Sequence, residues 1–474
     1  MKILVISEPF IKDFCRTQRW PARTRGRALR PPDWLAYATA VLRRDGFDAR
    51  LIDCTAMNWD KTRLAAFVRR ERPEWAVLDS TTPSIFSDIE CARICKDAGA
   101  KVIMVGTHAS ALPGDTLAAA NGAVDLIALG EYDYTVRDII RQGRAFESIP
   151  GVCFLRDGKP VHTARRPLIA DLDSLPFPSW EFIDLRRYFD AGRLYPYINI
   201  IGGRGCPYRC IFCQWPQLMF GHAYRFRSAG HVVDEIEYDL RMFPMLKYGE
   251  FFFEDDTFTV NKERALSICG QIARRGLKVT WSVNARPDIC DLDLFRQMKI
   301  SGCRQFLVGF ESGDQEILDT IKKGVTIEQS RRFVDIAHQA GIEVHGCFVL
   351  GLPGETVGTA QKTIDFALSL KLDTIQFSAA VPLPGSEYFE FCRDRGLLKT
   401  KSWEDWLDGG EQGAVVDYPG LSIDAINRMV DRGLRAFYLR PEFVVKFLFK
   451  NRNIFDVYRK VRGGLNFLSY LIRS

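Results

Sequence analysis

Three cysteines with the spacing C-x3-C-x2-C, Cys206, Cys210 and Cys213, point most directly to chemistry in this sequence. Three thiolates held in one loop, with glycines before them, can each bind one iron of a [4Fe–4S] cluster. The fourth iron then has no protein ligand, and a small molecule with an amine and a carboxylate can chelate it. The alternative is a zinc site, which takes four protein ligands when it is structural. His222 is the nearest candidate for that fourth ligand.

The cysteines follow the first of several predicted strands in the region 196–385. Apolar runs predict strands at 197–202, 249–254, 278–284, 304–311, 342–350 and 373–381, with a helical segment between each pair. This succession of βα units predicts a partial (β/α)6 barrel, whose chemistry lies at the carboxyl ends of its strands. The region 386–474 is predicted to be helical and to end in a basic, aromatic tail.

Residues 1–145 also alternate short apolar strands with helical patterns, and the strands are predicted at 2–7, 49–53, 75–80, 101–106 and 125–128. This α/β alternation predicts a doubly wound parallel sheet, which binds ligands at the carboxyl ends of its strands. The loops at those ends are small, polar and glycine-bearing, as a backbone that approaches a bulky ligand requires. A proline-rich stretch, 146–195, is predicted to link the two domains, with a small hairpin around Asp157-Gly158.

The composition is that of a globular protein: of 474 residues, 47% are hydrophobic and 26% are charged. These proportions exclude a disordered or collagen-like chain. A membrane-spanning helix is not expected, because no run of about 18 uncharged apolar residues occurs. The chain has 13 cysteines and no predicted signal peptide, which favours reduced thiols and a cytoplasmic location.

The net charge of +6 is concentrated in the tail, 443–474, which holds seven Lys or Arg residues and one acidic residue, Asp456. A protein that binds nucleic acid more often spreads basic residues along a groove, so no nucleic-acid partner is expected. Aromatic residues are interleaved with the basic ones, and this mixture predicts peripheral contact with an anionic membrane surface. The alternative is a pair of helices that pack on the barrel with their basic face in water.

The cysteine run resembles the signature of the radical S-adenosylmethionine (SAM) superfamily. In that superfamily SAM occupies the open iron, and electron transfer through the cluster cleaves it to methionine and a 5′-deoxyadenosyl radical. Further motifs lie at predicted strand ends, where the superfamily's barrel would place them: 251–258, 281–286, 309–313, 346–356 and 382–386. The resemblance implies a [4Fe–4S] cluster on the three cysteines, SAM, and a reductant such as flavodoxin or ferredoxin.

The same resemblance implies which residues orient SAM: Asp255, Asp256, Asn284, Arg286, Glu311 and Ser312. These residues also have plainer interpretations. The carboxylates can cap the following helix, where the helix dipole favours an acid, and Arg286 can pair with Asp288. We expect the general acid or base to be Glu254, His222 or Tyr224, and the sequence does not rank these three.

The first domain resembles the cobalamin-binding domain that precedes the barrel in one large branch of the superfamily. The D-x-H-x-x-G pattern, which supplies an axial histidine in other cobalamin proteins, is absent, because His108 follows a threonine. Cobalamin would then bind without a protein imidazole, or the domain binds nothing. His108 can also be a loop residue with backbone partners. The resemblance implies cobalamin contacts by the strand-end residues Ser80, Thr81, Thr82, Gly106, Thr107, His108, Gly130 and Glu131.

Finer motifs resemble the hopanoid-biosynthesis radical SAM proteins (the HpnJ type): Trp215-Pro216-Gln217 directly after the third cysteine, 251–258, and Ile321-Lys322-Lys323-Gly324. They imply a hopanoid or other lipid-like substrate and the ring contraction of a hopanoid-linked glucosamine to a cyclitol ether. One alternative is a cobalamin-dependent radical SAM C-methyltransferase that acts on another small molecule or lipid. A tRNA methylthiotransferase is disfavoured, because the first domain has no convincing second cysteine site. A non-catalytic redox sensor is the remaining alternative.

Overall fold

The computed structural model describes residues 1–143, 146–400, 402–408, 411–449 and 452–473. The first domain contains nine strands: β1 (Lys2–Ser7), β2 (Phe14–Cys15), β3 (Ala22–Arg23), β4 (Asp48–Asp53), β5 (Trp75–Leu78), β6 (Lys101–Met104), β7 (Leu126–Ala128), β8 (Val152–Arg156) and β9 (Lys159–His162). Its helices are α1 (Asp33–Arg44), α2 (Lys61–Glu71), α3 (Ile85–Asp97), α4 (Thr107–Ala111), α5 (Pro113–Ala120) and α6 (Asp133–Gln142).

Seven of these strands form one sheet in the order β4-β1-β5-β6-β7-β8-β9, and the first five are parallel. Both faces are buried: Ile3 and Val5 of β1 belong to one apolar core, and Leu4 and Ile6 belong to another. Helices on both faces explain why the strands are apolar throughout rather than alternating. The predicted doubly wound sheet is therefore confirmed. The hairpin predicted around Asp157-Gly158 also forms, and its strands β8 and β9 extend this sheet.

The second domain is a partial barrel. Its strands are β10 (Tyr197–Ile200), β11 (Gly203–Arg204), β12 (Arg225–Phe226), β13 (Glu250–Phe253), β14 (Trp281–Ala285), β15 (Cys303–Glu311), β16 (Glu343–Leu350) and β17 (Thr374–Ala379). Its helices are α7 (Ala229–Met242), α8 (Lys262–Arg274), α9 (Leu292–Ile300), α10 (Gln315–Thr320), α11 (Ile327–Gln339) and α12 (Val357–Ser369). Six strands run parallel in the order β10-β13-β14-β15-β16-β17, as predicted, so their carboxyl ends lie on one side.

The C-terminal region contains α13 (Glu387–Asp394), β18 (Leu407–Asp408), β19 (Glu411–Gln412), α14 (Ile423–Tyr438), α15 (Pro441–Phe449) and α16 (Ile454–Arg473). The predicted helical tail is confirmed. Strands β18 and β19 join β3 and β2 in a small sheet, so this region also contacts the segment after β1. Among the described helices, none is both long enough and apolar enough to cross a membrane.

A buried arginine on β11 joins the two large domains. The Arg204 guanidinium lies 2.8 Å from Glu131 and 2.7 Å from Asp133, both at the end of the first sheet. Arg225 adds a second contact, 2.9 Å from Glu131. Because buried charges are costly unless they are paired, this network requires the domains to keep one fixed arrangement.

Candidate functional site

The three cysteines lie in the loop after β11, and none of them forms a disulfide. Cys210 is buried, and Cys206 and Cys213 are half-buried. Gly205 begins the loop with φ +89°, and a Cβ atom there would lie 2.3 Å from the Ala223 carbonyl oxygen. Only glycine tolerates that conformation and that close approach, so the loop is shaped by its glycine.

Two arginines donate to the sulfurs of this loop. Arg19 Nη1 lies 3.7 Å from Cys213 Sγ, and Arg286 Nη1 lies 3.9 Å from Cys210 Sγ. Burial raises the pKa of the Cys206 thiol to about 11 and of the Cys213 thiol to about 12. Metal binding would have to displace these protons, and nearby guanidinium charges stabilise the thiolates that result. The donor set therefore fits a [4Fe–4S] cluster held by three cysteines.

His222, the alternative zinc ligand, is engaged with the backbone of the same loop. Its Nδ1 lies 3.2 Å from the Cys206 carbonyl oxygen and 3.0 Å from that of Tyr208. Within the described part of the chain, no three His, Cys, Asp or Glu side chains are close enough together to hold a single metal ion. His222 thus supports the cysteine loop through hydrogen bonds to carbonyl oxygens.

The paired carboxylates after β13 have different surroundings. Asp255 is fully buried, and it accepts hydrogen bonds from the Gly202 amide at 2.6 Å and from Tyr224 Oη at 2.9 Å. Arg264 Nη1 lies 3.1 Å from its second oxygen. Asp256 instead lines a cavity and pairs with Arg19 at 2.9 Å. Of the two acids predicted to receive SAM, Asp256 alone lines this cavity, whereas Asp255 holds the glycine segment before the cysteines.

The remaining residues predicted to bind SAM lie at or just after the carboxyl ends of β14 and β15. Asn284 donates to the Asp255 carbonyl oxygen at 3.0 Å. Arg286 pairs with Asp288 at 3.1 Å, as the plainer interpretation expected, and its guanidinium also stacks on Tyr208 within the cysteine loop, 3.3 Å from the ring centroid. The contacts of Arg286 therefore agree with both interpretations, the ion pair with Asp288 and a position at the SAM site.

Glu311 and Ser312 lie next to each other but face different groups. Glu311 forms a buried ion pair with Lys323 at 2.7 Å, and the Lys323 carbonyl oxygen accepts from Arg286 at 2.7 Å. This chain of contacts connects Glu311 to the cysteine loop. Ser312 is 3.1 Å from Thr363 Oγ1 on α12, so its hydroxyl serves packing between helix and strand.

A cavity that opens to solvent lies between the two domains, at the carboxyl ends of β5 and β6, and its empty space, the solvent-open part included, is about 400 Å³. Four of the residues predicted to contact cobalamin line it: Ser80, Thr81, Gly106 and Thr107. Gly106 has φ +99°, and a Cβ atom there would lie 2.3 Å from Asp79 Oδ1 and 2.6 Å from the Ser80 carbonyl oxygen. The loops after β5 and β6 therefore approach each other closely, as the small, glycine-bearing sequences at these strand ends predict.

The other four residues predicted to contact cobalamin do not line this cavity. His108 Nδ1 lies 3.2 Å from Thr82 Oγ1, and its ring packs edge-on against Trp403. Burial lowers the pKa of His108 to about 3, so the ring is neutral at physiological pH. Glu131 is held by the two arginines of the domain interface, and Gly130 lies beside the backbone of Leu218. These positions maintain the fold around the cavity rather than facing into it.

A second cavity continues the first, with about 320 Å³ of empty space, the solvent-open part included. The two share the lining residues Thr17, Arg19, Trp34 and Trp215, and the second extends to Glu254 and Asp256 on the barrel. Sequence reasoning missed the segment 16–21, which lines this space from the first domain. The available signal was two arginines, Arg16 and Arg19, shortly after the carboxyl end of β1, where doubly wound sheets bind ligands.

The three candidates for the general acid or base differ in what their side chains contact. Tyr224 is bound to Asp255 and Arg264, and His222 is bound to the cysteine loop. Glu254 lines the second cavity and forms only long ion pairs, 3.7 Å to Arg30 and 3.5 Å to Arg193. Among these candidates, Glu254 is the one that faces the cavity.

Comparison with known proteins identifies both domains. Residues 28–140 match the B12 binding domain, and residues 200–367 match the radical SAM superfamily. An uncharacterized methyltransferase of Pyrococcus horikoshii is 30% identical over 445 residues, which cover 92% of this chain and 93% of the relative. The chain belongs to the radical SAM family with a B12-binding domain. It is therefore a radical SAM enzyme whose cofactors are a [4Fe–4S] cluster, SAM and cobalamin.

One further relative and one solved structure are also similar to this chain. The anaerobic magnesium-protoporphyrin IX monomethyl ester cyclase of Cereibacter sphaeroides is 28% identical, over 77% of this chain and 61% of the relative. The solved structure of the radical SAM methyltransferase TsrM from Kitasatospora setae superposes with a TM-score of 0.71 at 18% identity, covering 93% of this chain and 90% of TsrM. That similarity confirms the fold of both domains.

The predicted hopanoid assignment is not confirmed. The hopanoid C-3 methylase of Methylococcus capsulatus is a more distant relative, 26% identical over 66% of this chain and 59% of the relative. The chain's membership is thus established at the level of the B12-binding radical SAM family, and its substrate is a separate question.

Proposed function

We propose that this radical SAM enzyme is a cobalamin-dependent methyltransferase that methylates a carbon atom of a small-molecule or lipid substrate. The observation that carries the proposal is the shared lining of the two cavities. Loops of the B12-binding domain open onto the first cavity, the barrel acids open onto the second, and Arg19, Trp34 and Trp215 border both. An enzyme that passes a methyl group between two cofactors needs them in one shared space.

The protein's part in this chemistry is to position its cofactors and exclude water. When bound, the cluster, SAM and cobalamin supply radical formation and methyl transfer. Cys206, Cys210 and Cys213 would hold the cluster, and Asp256 would bind a cationic group of SAM. Trp34 and Trp215, with ring centroids 5.3 Å apart, form an apolar wall of the shared space.

Glu254 is the side chain that we assign to proton transfer. It directly follows β13 and lines the second cavity together with Asp256, and among the described residues its Oε2 atom has no hydrogen-bond partner. A half-buried carboxylate that lines the cavity and forms long ion pairs can accept a proton from a substrate group that enters the cavity. Arg30 and Arg193 keep this carboxylate in place.

Ring contraction of a hopanoid-linked glucosamine remains the competing proposal. It shares the radical SAM motifs with the methyltransferase but requires no methyl transfer to substrate. The 30% identity to a protein named as a methyltransferase supports methyl transfer instead.

The test is an anaerobic assay of the full chain with its cluster reconstituted, with and without cobalamin. Reductant and SAM are added first, and a hopanoid-linked glucosamine follows. The proposal expects S-adenosylhomocysteine in proportion to bound cobalamin before any substrate is present, and little of it without cobalamin. The E254Q variant should keep this first step and lose product formation.

Two outcomes would count against methyl transfer. One is a chain that takes up no cobalamin. The other is 5′-deoxyadenosine without S-adenosylhomocysteine, stimulated by the hopanoid-linked glucosamine, with a lipid product of unchanged carbon count. The second outcome would establish ring contraction.

A further inference from the structure

The last helix, α16, carries its apolar side chains on the outside. Its exposed residues include an apolar stripe, defined here as Ile454, Val457, Val461, Leu465 and Leu468, whose exposed fractions run from 37% to 74%. The spacing of three to four residues places the stripe on one helix face. Among the described side chains of α16, the other exposed ones are Tyr458 and Ser469, which are uncharged.

The charged residues of α16 whose side chains are described lie on the side that faces the protein. Arg459 and Lys460 both pair with Asp456, which is buried. The Arg462 guanidinium lies 4.1 Å from the centroid of the Phe189 ring. A surface helix of a globular protein normally has the reverse arrangement, with its apolar face inward.

The opposite face of α16 is firmly docked, so the stripe is not the result of an unattached helix. Asn466 donates to the Gly26 carbonyl oxygen at 3.1 Å. Phe467 packs against Tyr438 of α14 with ring centroids 5.3 Å apart, and Tyr470 is buried. The stripe is thus presented outward by a helix fixed to both the first domain and the C-terminal region.

Aromatic and basic groups surround the stripe. Tyr458 packs against Tyr195, and Phe455 packs against Tyr248, which is about half exposed. Lys247 lies beside Tyr248, 4.8 Å from its ring centroid. Tyrosines and basic side chains bordering an apolar surface are typical of the membrane–water interface.

The charge of the tail distinguishes between two possible binding partners of the stripe, a second copy of the chain and an anionic surface. Residues 443–474 contain seven Lys or Arg and one acidic residue, Asp456. Of these, Lys450 lies outside the described residues, and the side chains of Lys446 and Arg473 are not described. A second copy of the chain would bring two basic tails together, which repel each other, whereas an anionic surface attracts the tail.

We propose that the apolar stripe of α16 docks this enzyme on an anionic lipid bilayer. The stripe runs over the 15 residues from Ile454 to Leu468, a length of about 21 Å at 1.5 Å per residue, and it occupies one face only, which suits a helix lying in the plane of the interface. The proposal does not depend on the identity of the substrate. It gives a structural basis for the membrane contact predicted from the tail sequence.

The test is flotation of the full chain with two kinds of vesicle, phosphatidylcholine alone and phosphatidylcholine with phosphatidylglycerol. The wild-type protein should float with the anionic vesicles and much less with the neutral ones. The double variant V461E/L465E should lose at least tenfold in binding. A matched control, L155E/V357E, changes two exposed apolar residues elsewhere on the protein and should bind as the wild type does.

Iron content and far-UV circular dichroism of each variant show whether it is folded. Equal binding of wild type and V461E/L465E, with both folded, would overturn the proposal, and so would equal binding to both vesicle types. Sedimentation of the protein in solution tests the alternative, in which a second copy of the chain binds the stripe. A wild-type dimer that V461E/L465E converts to monomer, without vesicle binding, would assign the stripe to a second copy instead.

Discussion

Arg19 and Asp256 lie 237 residues apart in the chain and form an ion pair of 2.9 Å in the space between the two domains. The same guanidinium reaches Cys213 Sγ at 3.7 Å. Arg19, in the segment before the residues that match the B12 binding domain, therefore contacts both the cysteine loop and the acid that lines the barrel cavity. This contact makes the first domain part of the radical SAM site.

Replacing Arg19 should shift the reduction potential of the cluster. Hydrogen bonds and positive charge near the sulfurs favour the reduced cluster, which is the more negatively charged form. We expect R19Q to bind normal amounts of iron and to have a more negative potential, measured by EPR-monitored redox titration. R19K keeps the charge and should show a smaller shift, whereas an unchanged potential in R19Q would remove this role.

Each of the three cysteines should be required for the cluster. C206S, C210S and C213S remove one thiolate ligand each, so iron and sulfide content and the cluster's visible absorption should fall sharply. C290S is a suitable control, because Cys290 is also half-buried but its sulfur contacts the Pro287 carbonyl oxygen. Retention of a full cluster in any of the three variants would contradict the assignment.

Gly106 should be essential for the cobalamin loops. In G106A the new methyl group would overlap Asp79 and the Ser80 backbone, at a φ of +99° that alanine rarely adopts. Strain of this kind costs about 1–3 kcal/mol, and the displaced loops should weaken cobalamin binding at least tenfold. The control is G122A, which has φ +79° but open space around it, and it should leave cobalamin binding unchanged. Absorption titration with cobalamin measures both.

Arg204 should contribute strongly to stability. R204M leaves Glu131 and Asp133 buried without their main partner, and breaking a buried ion pair from one side costs about 3–5 kcal/mol. R275M removes an exposed pair with Asp234 and should cost about 0–1 kcal/mol. Thermal unfolding followed by circular dichroism should show a large drop in Tm for R204M alone.

Acid should destabilise the protein partly through His108. Burial lowers the pKa of this histidine to about 3 in the folded state, against an ordinary value of 6.5. Between these two pKa values the unfolded chain binds a proton at this residue and the folded chain does not. The contribution of the neutral His108 to the free energy of unfolding is therefore complete above about pH 6.5 and is lost as the pH falls toward 3. H108Q should show a weaker decline of Tm between pH 7 and 5 than the wild type. If Tm falls equally with pH in H108Q and in the wild type, groups other than His108 cause the destabilisation by acid.

The cysteine spacing, the two α/β patterns and the glycine-bearing strand ends were sufficient to predict the cluster site, both sheets and their order in the chain. These features are local: a C-x3-C-x2-C loop has its chemistry within a few residues, and strand periodicity follows from which faces are buried. Four residues of the predicted cobalamin loops line the first cavity for the same reason, since carboxyl ends of neighbouring parallel strands always meet at one edge of a sheet.

Tertiary structure decided which members of each local motif face the site. Asp255 and Asp256 are adjacent in sequence, yet the first holds Gly202 and the second lines the cavity. Arg19 reaches the cysteines from a segment with no recognisable motif. On α16 the apolar residues face outward, whereas Arg459 and Arg462 face inward and contact Ala191 and Phe189. Each outcome depends on contacts between residues far apart in the chain, which spacing along the sequence does not encode.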